Sequence, residues 1–233
     1  MCAKEVSLPL KFIFKKSIEV GIFPQMWKLA NVQPVHKKKS RQLIEHYRPI
    51  SILPICGKIF EKIIFDSMYT FLSSNSLITK NQSGYIPGDS AINQLLSNIT
   101  EIYESFEKYD EVRAVFLDIS KAFDKVWHEG LIFKVERSGI QGQLINLLKD
   151  YLVGRKQRVV LNGQESEWEQ MMSGVPEGSV LGLLIFLIYI NDLTDNISSS
   201  IKLFADDSFI FSRVRDVNTT HEQIVKDLET ITR

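Results

Sequence analysis

The sequence predicts an α+β fold, and three observations carry that expectation. Residues 1–110 are dominated by apolar side chains at helical spacing. "VRAVFLDIS", residues 112–120, is a continuous apolar run ending in an acid, which suits a strand buried on both faces. "IKLFADDSFIF", residues 201–211, sets two adjacent acids, Asp206 and Asp207, between two short strand-prone runs. Strands and helices mixed without strict βαβ alternation argue for α+β rather than α/β.

Taken in order, "EVSLPLKFIFKKSIEVG" has helical spacing and ends in Gly21, a C-cap residue. "WKLANVQPVHKKK" reads as extended, its prolines arguing against a long helix. "GKIFEKIIFDSMYTFLSSN" gathers Ile59, Phe60, Ile63, Ile64, Met68 and Phe71 on one broad face and predicts an amphipathic helix. "GDSAINQLLSNITEIYESFEK" predicts another, with Asp89 or Ser90 as N-cap. After the apolar run come two helical stretches, near 128–138 and 141–153. "RVVLNGQESEWEQM" reads as a hairpin around Asn162-Gly163, a pair that supplies the positive φ of a tight turn. A glycine-containing turn, an apolar helix near 179–191, the two acid-flanking strands and a polar final helix complete the chain.

Composition narrows the classes. With 233 residues, 44% hydrophobic and 24% charged, the chain can build one or two globular domains. Its 28 basic and 28 acidic residues cancel, so a case for nucleic acid or membrane must come from local clusters. Cys2 and Cys56 make neither a disulfide framework nor a metal-site spacing. The longest apolar run, residues 180–190, is about half of the ~20 residues a membrane helix needs. No cleavage pattern follows "LPLKFIF". The expectation is a soluble, intracellular protein with no membrane partner, without a choice between cytoplasm and nucleus.

An Asp-Asp pair alone is more often a solvated turn or a helix cap. Here it sits at a predicted hairpin tip, and Asp118 ends a second predicted strand. If the strands are neighbours, the carboxylates converge at one sheet edge. Like charges that close repel and raise one another's pKa unless a cation neutralises them. Magnesium is the natural cation, since hard oxygen ligands bind it through carboxylates plus substrate phosphates. A carboxylate cage for two ions about 3.5–4 Å apart serves in-line phosphoryl displacement.

"AVFLDISKAFDKVWHEGLI", "GVPEGSVLGLLIFLIYINDL" and "FADD" resemble, in order and spacing, the palm motifs of reverse transcriptases, nearest to those of non-LTR (LINE-type) retrotransposons. "WKLANVQPVHKK", "HYRPISILPICGKIFEKII" and "NQSGYIPG" resemble the same family's fingers motifs. The match runs from about Leu8 to Phe211. The resemblance implies a right-hand polymerase with residues 1–110 mainly fingers and 111–233 mainly palm with interleaved fingers helices. It implies an RNA-directed DNA polymerase that extends a DNA primer on an RNA template with deoxynucleoside triphosphates. Two magnesium ions, with manganese as an alternative, would be held by Asp118, Asp206 and, less directly, Asp207. Phe123 would sit beneath the incoming sugar and exclude a 2′-hydroxyl by steric clash; its blander role is packing beside Ala122. Arg48 would grip the triphosphate with its guanidinium fork, against a plain surface ion pair. Gly174, Pro176, Glu177 and Gly178 would floor the nucleotide site, or else form a tight turn before a core helix. His128 matches a position expected to be structural. "KKKSR", residues 37–41, could clamp phosphate or be a solvated loop, and Trp168 is expected to pack a hairpin.

The chain departs from the family pattern at several places. Glu177 stands where the family usually has Gln, and an ionised carboxylate cannot donate a hydrogen bond and adds charge near a triphosphate. Leu183 replaces a usual proline, Ile86 a frequent arginine and Ala91 a frequent threonine. The 26 residues after Asp207 leave no room for a thumb, so the expectation is a chain with the thumb absent, truncated at its C-terminus. Two other readings stay open. One is a truncated or degenerate non-catalytic remnant with weak nucleic-acid binding; the other is an intron-encoded maturase, for which the RNA-binding extension is not in the sequence.

Overall fold

In the computed structural model, residues 3–37, 40–108 and 111–232 are described. The elements begin with α1 (Ala3–Val20), β1 (Leu29–His36), β2 (Tyr47–Ile52), α2 (Ile55–Ser74), α3 (Ala91–Phe106) and β3 (Val112–Asp118). They continue with α4 (His128–Arg137), α5 (Gln143–Leu152), β4 (Lys156–Leu161), β5 (Gln164–Glu165) and β6 (Glu169–Gln170). Last come α6 (Val180–Ile190), β7 (Ser200–Phe204), β8 (Asp207–Arg213) and α7 (Val217–Ile231). The fold is α+β, as the mixed pattern predicted. Among the described residues no helix is long and apolar enough to cross a membrane.

Two compact units share the chain: residues 1–75 with 123–189, and residues 76–122 with 190–233. Residues 76–110 cluster with the strands that carry the acids.

The first unit is built on a mixed sheet of order β2-β1-β4-β5, with β6 also on β4. β1 runs antiparallel to β2 and parallel to β4. Asn162 at φ 50° and Gly163 at φ 78° turn β4 into β5, the hairpin expected from that pair. Gly21 at φ 68° ends α1, with the Ile22 N–H returning to the Ser17 carbonyl at 3.1 Å. The core is aromatic: Phe60 stacks on Phe14 at 4.8 Å and on Phe23 at 5.5 Å, and Phe23 meets the Tyr151 ring edge-on at 5.1 Å. Lys28, buried among these elements, is held by the Asp150 carboxylate at 2.8 Å.

α2 forms as its periodicity predicts, but its buried face is turned. Phe60, Ile64 and Met68 are buried, while Ile59, Ile63 and Phe71 are 44%, 44% and 39% exposed. Their places inside are taken by Glu61, Phe65 and Leu72. The rotation follows from Glu61, a carboxylate drawn inward by hydrogen-bond donors waiting for it.

The second unit carries a three-stranded antiparallel sheet of order β3-β8-β7. One face buries Ile201, Leu203 and Ile210 against Leu228 and Ile231 of α7. Asp216 caps α7 by accepting the Thr219 N–H at 2.8 Å, and that bond holds the Asp216 carboxyl below its ordinary value. On the other face α3 crosses the sheet, packing on β3 and β7 and making polar contacts to β7 and β8. Glu101 meets Lys202 at 3.4 Å, and Arg213 donates to the Ser105 hydroxyl at 2.9 Å. Ser90 is the N-cap of α3, accepting from the Asn93 N–H.

β3 corrects an expectation. It is an edge strand with one open face, on which Ala114, Phe116 and Asp118 are exposed, Phe116 at 80%. A continuous apolar run says that a strand is β-prone; it does not say what covers each face.

Because Phe60 anchors three aromatic contacts at full burial, Phe60→Ala should destabilise its unit by about 3–5 kcal/mol. Urea denaturation followed by tryptophan fluorescence, which reports Trp27 beside it, measures the loss.

Candidate active site

The β7–β8 hairpin closes on the pair Phe204↔Asp207 and leaves Ala205 and Asp206 as a two-residue turn. Ala205 sits at φ 56° and Asp206 does not enter that region, the signature of a type II′ turn, whose first central position favours glycine. In the β3–β8 ladder Asp118 stands directly opposite Asp207. Residues so opposed bring their Cβ atoms to about 4.5–5.5 Å. Acids from two distant segments thus meet at one end of the sheet, with Asp118 and Asp207 exposed and Asp206 half-buried.

Directly opposed like charges destabilise a sheet, so this end favours a cation. Hard carboxylate oxygens suit magnesium. Among the described residues no group of three His, Cys, Asp or Glu side chains is gathered closely enough to hold an ion alone. Asp118 and Asp207 supply two carboxylates at one place, and any ion held there would need water or phosphate oxygens for the rest of its shell.

Phe123, Gly174, Pro176, Glu177 and Gly178 all belong to the first unit. The turn at 173–178 is stitched on two sides. The Gly174 N–H donates to the Val126 carbonyl at 2.9 Å and the Val175 N–H to the Phe123 carbonyl at 2.8 Å. His128 adds a structural tie, its Nε2–H donating to the Gly174 carbonyl at 2.7 Å. On the far side the Ser51 N–H of β2 donates to the Glu177 carbonyl at 2.7 Å. Two glycines are required. A Cβ on Gly174 (φ 82°) would lie 2.7 Å from the Asp124 carbonyl oxygen, and one on Gly178 (φ 116°) 2.6 Å from the Ser51 oxygen.

A cleft of about 290 Å³ opens beside this turn, lined by Pro49, Ser51, Asp124, Ser173, Pro176 and Glu177, with Gln157 and Gln170 from the neighbouring strands. Phe123 is half-buried, its ring stacked on Phe186 at 4.4 Å. Arg48 is exposed on β2 and does not line the cleft. Successive strand residues face opposite ways, and Pro49 and Ser51 hold the cleft side. Trp168 packs under the Arg158 guanidinium at 4.6 Å in the β4 hairpin region. Of "KKKSR", Lys38 and Lys39 lie outside the described residues, as does Cys2.

Sequence reasoning missed Glu61. Its Oε2 accepts from the Ser179 hydroxyl at 2.6 Å and from the backbone N–H groups of Val180 and Leu181 at 2.8 and 3.2 Å. A carboxylate from α2 thereby caps α6, the helix that leaves the glycine turn, and meets the positive end of its dipole. Ser179 is saturated: its oxygen also accepts from the Gly182 N–H and pairs with the Tyr151 hydroxyl, both at 2.7 Å. Burial, and then the Glu61 charge, push the Tyr151 phenol up, so it stays a neutral donor. The one local signal was an acid inside the apolar run "KIFEKII".

Comparison with known proteins places this geometry. Residues 35–233 match the family model described as "Reverse transcriptase (RNA-dependent DNA polymerase)". The chain belongs to the reverse transcriptase family. It is 31% identical to the probable RNA-directed DNA polymerase from transposon X-element of Drosophila melanogaster, over 91% of this chain and 24% of that protein. To the RNA-directed DNA polymerase from mobile element jockey of the same species it is 32% identical, over 89% of this chain and 24% of that protein. The same element's polymerase from Drosophila funebris shares 35% over 80% of this chain and 20% of its own length. The chain thus spans about a quarter or less of the curated relatives it matches, and its kinship is with non-LTR retrotransposon polymerases. Among solved structures, a Candida tropicalis apo telomerase truncated from its C-terminal domain aligns with a TM-score of 0.65 at 10% identity, covering 89% of this chain and 47% of that one. That likeness extends to the fold, the fingers and palm of a reverse transcriptase.

Removing the Glu61 cap strands three donors, so Glu61→Ala should cost about 1.5–3 kcal/mol, whereas Glu61→Gln keeps an acceptor and should cost less. Thermal unfolding of the two variants side by side gives the comparison.

Proposed function

We propose that this chain is the RNA-directed DNA polymerase domain of a non-LTR retrotransposon, joining deoxynucleotides to a primer 3′-hydroxyl on an RNA template. The observation that carries the proposal is the opposition of Asp118 and Asp207 beside Asp206, at the end of one sheet, in a chain of this family. Asp118 and Asp206 would hold two magnesium ions, manganese being the alternative, and Asp207 would contribute at the same tip. When bound, such ions lower the pKa of the attacking hydroxyl and offset charge on the phosphorus and the leaving pyrophosphate.

The remaining roles belong to the chain's own side chains. Phe123, braced by Phe186, is a rigid wall against a ribose 2′-hydroxyl. Gly174, Pro176, Glu177 and Gly178 shape the floor under the nucleotide, in a turn bonded on both sides. Arg48 would grip the triphosphate, a role its exposure allows but its place on the side of β2 away from the cleft does not support. Residues 1–110 would serve mainly as fingers and 111–233 mainly as palm with interleaved fingers helices, amended in that 76–110 keep company with the acid-bearing sheet. A second reading, a non-catalytic remnant, is favoured by Glu177, whose charge opposes a triphosphate at the cleft wall.

Primer extension on an RNA template decides between them. Magnesium-dependent extension should fall about 100-fold or more in Asp206→Asn; absence of extension, or indifference to that substitution, rejects the polymerase. Glu177→Gln should lower the KM for deoxynucleotide about 10-fold, the equivalent of ~1.4 kcal/mol of removed repulsion. Phe123→Val should relax exclusion of ribonucleotides by about 10–200-fold, the worth of one steric contact, read from the ratio of kcat/KM for the two sugars.

A further inference from the structure

The segment "NQSG", residues 81–84, lies against the acid-bearing hairpin. Gln82 bridges to Leu203 of β7 in parallel register. The Leu203 N–H donates to the Asn81 carbonyl at 2.8 Å, and the Ser83 N–H to the Leu203 carbonyl at 3.0 Å. The Gln82 side chain, 6% exposed, reaches past that bridge to the turn. Its Oε1 accepts from the Ala205 N–H at 3.0 Å and from the Gly84 N–H at 2.7 Å, and its Nε2 faces the Ala205 carbonyl at 3.5 Å. Gly84 lets the chain pass flush against the hairpin: a Cβ there would stand 2.1 Å from the Ala205 nitrogen.

Ala205 has a reason to be held. A non-glycine residue in the left-handed region costs about 1–2 kcal/mol, and this turn type favours glycine at that position. Ala205 sits there at φ 56° with 5% exposure. The turn therefore depends on outside support, and a planar amide can offer an acceptor to the N–H and a donor to the C=O of one residue, bracing the peptide units on either side of it. The next residue along is Asp206, so the orientation of the Ala205 backbone sets where that carboxylate stands.

We propose that Gln82 is a positioning residue: its amide holds Ala205 in the left-handed conformation that fixes Asp206 beside the opposed pair Asp118 and Asp207. Gln82 touches no substrate in this scheme and acts through the turn. Its effect on catalysis rests on the polymerase reading, whereas its effect on the turn does not.

Two readouts separate these levels. Hydrogen exchange, followed residue by residue across 200–211, reports the turn; primer extension reports the chemistry. Gln82→Met keeps the volume and removes the amide, and Gln82→Glu keeps an acceptor for both N–H groups as the milder variant. In Gln82→Met the Ala205 amide should exchange about 10-fold faster or more, the loss of one buried bond, while α5 (143–152) exchanges unchanged. Gln82→Glu should retain most of the protection. In extension, kcat should fall about 10-fold in Gln82→Met with KM for deoxynucleotide within about 2-fold. Adding Ala205→Gly should restore most of that kcat although the amide stays unprotected, because glycine adopts the turn unaided. Unchanged exchange at Ala205 overturns the proposal, as does a kcat loss that Ala205→Gly fails to restore. Should the unmodified chain extend no primer, the polymerase reading falls, and exchange alone still decides whether Gln82 holds the turn.

Discussion

Two carboxylates facing each other across neighbouring strands, Asp118 on β3 and Asp207 on β8, are the constraint around which the acid-bearing unit is organised. Opposed like charges work against the sheet that carries them. The sheet tolerates them because the opposite face is sealed by α7 over Ile201, Leu203 and Ile210, and because the charged end is open to solvent and ions. The hairpin turn adds a second cost, an alanine in a conformation suited to glycine, and the 81–84 segment is built against it.

In the other unit the same logic appears with opposite sign. The turn at 173–178 is tied by backbone bonds to residues 123–126 and to Ser51, and the helix it enters is capped by a carboxylate from α2. Glycines permit the close approaches, and Glu61 satisfies donors that an apolar core could not. The result is a stiff floor whose shape does not depend on the loops alone. Stiffness of that kind suits a binding surface of any sort, since a yielding wall discriminates poorly.

What could be seen in the sequence was what is local. The turn at Asn162-Gly163, the acid-tipped hairpin, the end of α1 at Gly21 and the Ser90 cap each follow from chemistry within a few residues. The acids that meet at the sheet end were legible because an acid at the end of a strand-prone run is locally out of place. What escaped notice depends on partners far along the chain. Nothing near Glu61 in the sequence announces its role, because its partner Ser179 is 118 residues away. Nothing near Gln82 announces its contact with the hairpin turn, because Ala205 lies 123 residues on. β3 looked doubly buried because its composition is that of a central strand, and only the strand order reveals it as an edge.

That edge has a practical consequence. Among the described residues β3 ends the sheet, its outer row of backbone donors and acceptors outside any ladder, and it displays Phe116, 80% exposed. Such a strand is a template for another strand to join. Arg113 and Asp118 at its ends are the charges that resist such pairing. Of the surfaces this unit offers, that margin rather than its helices is where a second strand would find matching backbone groups.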